Sequence, residues 1–463
     1  MSERWQNQEE ALHFALENPS CMLDMEMGTG KTRVAIDAVF AREDVHRVLV
    51  VCPKAVVGVW RTNLMKFHGG ENWYCWDKQT GTVTQKTDDL AKWFGMGNHE
   101  DSNLFVVINY DSVWRHPIGD YIYTKAGFDM VILDESHRAK AAGSKVSKYL
   151  AMVGKRVKYK MCLSGTPMAN SPLDVYGQYR FLDPTIFGTN YDRFRQEYAI
   201  LGGPEHNFVV GYKNQQRLNE KFSQIAYTCK MADIKDKIKL PDALPPIERM
   251  VDLPTRDMQT LKTLAREFVA ECGSGNVIAT NVLVKILRQQ QITSGFCQIS
   301  ASPLDPPVEE DLNYAKLEEL KDIVTDIATP VVVFCMFKHD LDIISKAVRS
   351  MGRQAFELSG RVNELDEWKK SDSGVLAVQV QAGSEGVDMT NANHVIYFSL
   401  PHSMALYNQS KARLYRPGQT RPVSFIHILA RKTVDEAMYK SLMRKMDIVD
   451  AIRKGEFDMG FSH

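Results

Sequence analysis

Over residues 1–170, short apolar runs alternate with stretches of helical spacing, which predicts a parallel α/β sheet. Strands are expected at Cys21–Asp24, Arg47–Cys52, Leu104–Asn109, Met130–Asp134 and Lys160–Ser164. Several are apolar at successive positions, as strands covered by helices on both faces require. Helices are expected between them, such as Lys31–Arg42 and Ala55–Phe67. The alternation stops near residue 184, and helical spacing with polar interruptions takes over, marked by Phe194, Tyr198, Leu261, Leu264 and Phe268. The Pro-rich stretch Leu240–Pro254 breaks this region, and SPLDPPVEED at Ser302–Asp311 reads as a linker. Alternation then resumes. Strands are expected at Val331–Phe337, Gly374–Val380, His394–Ser399 and Val423–Leu429, and helices at Asp340–Met351 and Met404–Arg416. The tail Val434–Arg453 predicts one amphipathic helix. The pattern therefore divides the chain into an α/β lobe at 1–183, helical protrusions and a linker at 184–310, and a second α/β lobe with a C-terminal helix at 311–463.

The length of 463 residues agrees with two or three domains. Lys+Arg and Asp+Glu are both 57, so any nucleic-acid surface must be a local patch. Eight cysteines are scattered singly without a C-x-x-C pair, which argues against a zinc site or disulfide framework. Reduced core cysteines fit an intracellular compartment, cytoplasmic or nucleoid-associated. The polar start MSERWQNQEE does not read as a signal peptide, and no apolar run approaches membrane-spanning length.

MGTGKT at Met27–Thr32 follows a predicted strand and opens a predicted helix, the context a phosphate loop needs. Gly28, Thr29 and Gly30 would turn backbone N–H groups toward phosphates, and the helix N-terminus adds its positive end. Lys31 would reach the β- and γ-phosphates of ATP, and Thr32 would hold Mg²⁺. The full phosphate-loop pattern has glycine five residues before Gly30, where this chain has Met25. LDESH at Leu133–His137 ends another predicted strand. Asp134 would hold Mg²⁺ through water, and Glu135 would orient and deprotonate the attacking water. SGTP at Ser164–Pro167 ends a third strand, and the Ser164 and Thr166 hydroxyls are candidates for coupling the acid pair to the other lobe. Gln8, upstream of the loop, is a candidate adenine reader through its amide, or else a solvated residue at a helix start.

In QSKARLYRPGQ, Gln409–Gln419, Arg413 and Arg416 lie three residues apart on a predicted helix. Arginines so far downstream of the phosphate loop can act on its nucleotide only if two lobes close over it. MGTGKT, LDESH, LSGTP, AGSEGVD (Ala382–Asp388) and QSKARLYRPGQ stand in the order found in superfamily-two helicase-like ATPases. The chain resembles the Swi/Snf type of these, the double-stranded DNA translocases. The Q-x-x-x-R-x-x-R-x-G-Q form, the box CPKAVVGVWRTNLMKF with Pro53 and Trp60, LPPIERMVDLPTRDMQ at Leu244–Gln259 and LRQQQITSGF at Leu287–Phe296 carry that resemblance.

The resemblance implies two RecA-like parallel-sheet lobes of the P-loop NTPase class, dependence on ATP and Mg²⁺, and tracking along duplex DNA. It places Arg413 and Arg416 at the γ-phosphate, Gly386 and Asp388 at the lobe interface, and His137 and Gln409 in coupling. The acid box is DESH where DEAH or DEGH is commoner, and Val380 stands where the family usually has a DNA-contacting threonine, with Gln379 and Gln381 beside it. The motor motifs take up nearly all of the chain, which reads more naturally as a lean phage or mobile-element motor than as a nucleosome remodeller.

Candidate DNA contacts are Lys54 and Arg61 near Pro53, Asn109 and Tyr110 after a strand end, and Ser359, Gly360 and Arg361 in the second lobe. His137–Lys160 is rich in Lys and Arg and holds no acid, as a phosphate-tracking groove or a solvated helix face would. Trp73, Tyr74 and Trp76 read more readily as a packed cluster than as a base-stacking platform. The leading expectation is an ATP-driven translocase on double-stranded DNA. A strand-separating helicase and an ATP-gated DNA-binding switch are the alternatives; Glu135 weighs against the switch, which has no need of a water-activating acid.

Overall fold

The computed structural model describes residues 3–70, 72–96, 102–168, 171–202, 208–267, 269–272, 275–278, 282–299, 308–383 and 387–444. The chain forms two compact units, Met1–Lys239 and Leu240–His463.

The first unit is built on a seven-stranded parallel sheet. Its strands are β1 (Ser20–Met25), β2 (Arg47–Cys52), β3 (Trp73–Trp76), β4 (Asn103–Asn109), β5 (Met130–Asp134), β6 (Tyr159–Ser164) and β7 (Ala226–Cys229). They lie in the order β3-β4-β2-β5-β6-β1-β7. All five residues of MVILD in β5 are buried, and five of the six in β2, which is why these strands read as unbroken apolar runs. Asp24 pairs with Ser164, and Leu163 with Asp134. The motif-bearing carboxyl ends of β1, β6 and β5 therefore lie side by side, where such folds bind ligands.

Two strands of this sheet were not expected from the pattern. β3 is the aromatic WYCW at one edge. Trp73 and Trp76 are buried, and their indoles donate to the Gly69 carbonyl at 2.7 Å and the Asp89 carboxylate at 2.8 Å. The aromatic group is thus packing, with only Tyr74 turned outward. β7 closes the opposite edge after a helical excursion. Phe187, Phe194 and Tyr198 of that excursion pack edge-on and tilted in a chain, with ring centroids 5.3 Å and 5.0 Å apart, and join the core of the first sheet. Residues 184–239 accordingly belong to the first unit.

The second unit holds a six-stranded parallel sheet. Its strands are β8 (Ile247–Val251), β9 (Val331–Cys335), β10 (Ala355–Leu358), β11 (Val375–Gln379), β12 (His394–Tyr397) and β13 (Ser424–Ala430). Their order is β8-β13-β12-β9-β11-β10. The Pro-broken segment thus supplies an edge strand, with Ile247 opposite Ile426 and Val251 opposite Ala430. Lys316 and Asp435, both buried, pair at 2.5 Å, and Asp435 also accepts from Thr293 Oγ1 at 2.9 Å and the Ala430 amide at 3.0 Å. One carboxylate thereby locks three helices and the end of β13.

The helix expected to reach Arg416 spans Met404–Lys411. In a longer helix the Arg413 carbonyl would accept from residue 417, but Pro417 has no N–H. The Met389 amide takes that carbonyl instead, at 3.0 Å. Arg413 and Arg416 therefore stand on turns beyond the helix rather than on one face of it. The C-terminal helix runs Val434–Met443 with Arg444 as its C-cap; residues 445–453 of its expected length, like Phe268, lie outside the described residues. Among the described residues, no helix is long and apolar enough to cross a membrane.

Candidate nucleotide site

The phosphate loop joins β1 to the helix Lys31–Phe40. Gly28 and Gly30 have φ of 84° and 97°, the left-handed region in which a side chain is strained. A Cβ on Gly30 would also lie 2.1 Å from the Gln8 amide nitrogen. Gln8 is buried against the loop, and its Oε1 accepts from the Trp5 amide at 3.1 Å, which caps the helix Gln6–Glu17. The expected adenine reader is thus also a helix cap that leans on the phosphate loop. Lys31 Nζ donates to the Met25 carbonyl at 2.8 Å, folded back across the loop. Thr32 stands one residue further along, half-buried.

Two residues that hold this loop escaped sequence reasoning. Asn7, buried, donates to the Thr29 carbonyl at 3.0 Å. Glu26 offers its carbonyl to both the Thr29 amide at 3.2 Å and the Thr29 hydroxyl at 2.6 Å.

Asp134 ends β5 with its side chain buried. Trp60 Nε1 donates to Asp134 Oδ2 at 3.0 Å, and the Tyr110 hydroxyl donates to its backbone carbonyl at 2.9 Å. Burial and the adjacent Glu135 charge push the Asp134 carboxyl up to about 6, against the pull of Trp60 and Lys31. A desolvated carboxylate beside a second acid favours a cation nearby. Glu135 itself has φ 52° and ψ 52°, an uncommon conformation for a residue with a side chain and one that collects at functional sites. Its Oε2 is buried without a hydrogen bond, and His137 Nδ1 stands 3.4 Å away.

His137 also meets Ser164 Oγ at 3.5 Å, and Ser164 accepts from the Thr166 amide at 3.1 Å. The fold therefore brings Glu135, His137, Ser164 and Thr166 together. The Thr166 hydroxyl is buried and has no hydrogen-bond partner. Burial lowers the His137 imidazole below its ordinary value despite Glu135, which keeps it neutral at pH 7. Gln178 bridges the same two segments, accepting from Ser136 Oγ at 2.7 Å and donating to the Pro167 carbonyl at 2.8 Å. A glutamine inside the mostly buried helix VYGQYRFL was its only signal. Gly165 brings SGTP against the loop, since a Cβ there would lie 3.2 Å from the Met25 carbonyl.

Trp60 fixes the Asp134 carboxylate through its indole N–H. Trp60→Phe should keep the fold and lower ATP turnover by about 10–100-fold, the usual cost of losing a group that orients a metal-binding side chain. Steady-state ATPase with a thermal melt on the same sample checks this. Wild-type turnover in a folded variant would show that the indole only fills space.

In the second unit, the side chain of Gln419 is buried, donating to the Ala392 carbonyl at 2.8 Å and accepting from the Thr420 and Arg421 amides at 3.1 Å each. Arg416 donates to the Val387 carbonyl at 3.4 Å. Although burial works the other way, the Thr390 amide and the Arg416 charge hold the Asp388 carboxyl below its ordinary value. Asp388 and Arg416 therefore share one neighbourhood. Gln409 is buried, and Gly386 lies outside the described residues.

The candidate DNA contacts divide. Lys54 and Asn109 line a small cleft with Lys78 and Gln79, at the ends of β2 and β4. Gly360 and Gln381 are exposed. Arg61 is held by Asp77 through bonds of 2.8 and 2.6 Å and by the Cys75 carbonyl at 2.6 Å. Ser359 donates to Glu357 at 2.5 Å, and Arg361 is paired with Glu357 and Asp342. Tyr110 serves Asp134 rather than a surface. Much of the basic stretch is likewise engaged: Lys140 with Asp174, Lys158 with Asp44, Lys145 over Trp114 and Arg156 over Tyr123.

Residues 1–294 match the SNF2-related domain family, and residues 315–418 match the helicase conserved C-terminal domain family. Chromodomain-helicase-DNA-binding protein 1-like of Danio rerio is 23% identical over 461 residues, covering 95% of this chain and 42% of that protein. DNA annealing helicase and endonuclease ZRANB3 of Homo sapiens is 23% identical over 475 residues, covering 97% of this chain and 40% of that protein. The chain thus spans about two fifths of the length of these relatives. Putative protein p41 of Acyrthosiphon pisum secondary endosymbiont phage 1 is 25% identical over 453 residues, 92% of each chain. Among solved structures, the Sulfolobus solfataricus SWI2/SNF2 ATPase core in complex with dsDNA aligns with a TM-score of 0.44 at 19% identity, over 98% of this chain and 94% of that one. With a family model matched over more than half of its length, the chain belongs to the SNF2-related family of helicase-like, DNA-dependent ATPases.

Proposed function

We propose that the chain hydrolyses ATP when bound to DNA and uses the cycle to move along duplex DNA without having to separate its strands. The observation that carries the hydrolytic part is Glu135, a strained acid beside the phosphate loop whose Oε2 has no hydrogen bond to give up before it takes a proton from water. The second parallel-sheet unit, with its arginine pair, supports movement rather than simple nucleotide binding.

In this reading Gln8 reads adenine, and the amides of Gly28, Thr29 and Gly30 cradle the phosphates. Lys31 leaves the Met25 carbonyl for the β- and γ-phosphates. Thr32 and Asp134 suit a magnesium ion, because both offer hard oxygen donors and the Asp134 site favours a cation. When bound with ATP, that ion neutralises charge on the phosphates. Glu135 aligns water and accepts its proton, while His137, Ser164, Thr166 and Gln409 relay nucleotide state. Arg413 and Arg416 stabilise charge on the transferred phosphoryl group, with Gly386 and Asp388 beside them. Lys54, Asn109, Gly360 and Gln381 touch the DNA backbone. Ser359 and Arg61 enter that surface only by exchanging their present partners.

ATPase turnover measured without DNA, with single-stranded DNA and with duplex DNA tests the reading. Duplex should stimulate by about tenfold or more, a coupling of the size usual between linked sites, and displacement of a third strand from a triplex should follow. Stronger stimulation by single strands together with strand separation would make it an unwinding helicase. Slow turnover indifferent to DNA would make it a nucleotide-gated switch.

A further inference from the structure

The phosphate loop is fastened to the segment Ala226–Lys239, by which the chain leaves the first unit. β7 pairs with β1 from Met22 opposite Ala226 to Met25 opposite Cys229. The pairing does not stop at the strand end. The Glu26 amide donates to the Cys229 carbonyl at 2.8 Å, and Glu26 Oε2 accepts from the Met231 amide at 2.7 Å. The carbonyl of the same Glu26 closes the loop by accepting from Thr29. The helix Gln6–Glu17 grips the exit segment twice more. Tyr227 donates to Glu10 at 3.1 Å, and Lys237 donates to Gln6 at 2.8 Å. Asn7 on that helix holds the far side of the loop at Thr29. The contacts form a ring running from helix to loop, from loop through Glu26 to the exit segment, and back to the helix.

A ring of this kind transmits displacement. Phosphates binding to the loop amides draw on the turn that Glu26 closes, and two hydrogen bonds carry any shift directly to Cys229 and Met231. We propose that Glu26 is a positioning residue through which nucleotide occupancy of the phosphate loop orders the segment Ala226–Lys239, and so reaches the part of the chain that leads into the second unit. This rests on the phosphate loop binding ATP or ADP, as proposed above. The glutamate side chain is the part of the ring that a substitution can open without touching Lys31, Thr32 or the loop glycines.

The test is amide hydrogen exchange on the full-length chain, with and without saturating ADP and Mg²⁺. In the wild type, exchange across 226–239 should slow by about fivefold or more on ADP binding, a coupling of ordinary size. Glu26→Ala should abolish that slowing from Met231 onward, where the side chain is the link, and Glu26→Gln, which keeps an acceptor oxygen, should restore it. Glu26→Asp, too short by one methylene to hold the 2.7 Å bond, gives a second variant if alanine prevents folding. ADP that binds the wild type without slowing exchange there, or slowing from Met231 onward that persists in Glu26→Ala or Glu26→Asp, overturns the proposal. Failure of ADP to bind at all, read by equilibrium dialysis, would instead overturn the nucleotide site on which it rests.

Discussion

An Arg413→Ala protein is expected to bind ATP normally and to lose about 10³-fold or more of its DNA-stimulated hydrolysis, the contribution of an arginine that meets the transferring phosphoryl group. The separation of binding from turnover follows from where Arg413 sits. Its backbone is fixed within the second unit, its amide on the Ser410 carbonyl and its carbonyl under the Met389 amide. Truncating the side chain leaves those backbone bonds in place. Nucleotide affinity from dialysis and turnover on duplex DNA give the two readouts. A variant that turns over like the wild type would remove Arg413 from the chemistry and, with it, the requirement for two units to act on one nucleotide.

Glu135→Gln is expected to lower turnover by about 10²–10⁴-fold, the range for losing a general base. The substitution keeps the shape of a side chain held at φ 52° and removes only the capacity to take a proton. ATP binding should persist and complexes with ATP should outlive those of the wild type. Single-turnover hydrolysis distinguishes this from a binding defect, because the chemical step itself must slow. If the glutamine variant hydrolyses within a few-fold of the wild type, water is activated elsewhere, and His137 at 3.4 Å becomes the next group to examine.

The strands β1, β2, β4, β5 and β6 were legible because each is buried on both faces and bounded by turns. β3, β7 and β8 were missed. They are short, lie at sheet edges, and two of them carry polar residues that break an apolar run. The phosphate loop and acid box could be read because their chemistry is written in contiguous residues. Their fasteners could not. Asn7 acts on a residue 22 positions away, Trp60 on one 74 away, and Gln178 on one 42 away. Nothing local to a buried polar residue says which distant group it will meet. The arginine helix was overextended for a similar reason: QSKARLYR has helical spacing, but the missing N–H of Pro417 and the competing amide of Met389 decide where the helix ends.

The strand β8 has a practical bearing on dissection of the chain. The helicase C-terminal match begins at residue 315, but the second sheet takes its edge from Ile247–Val251. Thr293, whose hydroxyl holds the buried Asp435, also lies upstream. A fragment cut at the family boundary would leave β13 with a row of bare amides and carbonyls, a template for pairing with other chains. A cut at Leu240 carries both residues and keeps that edge covered.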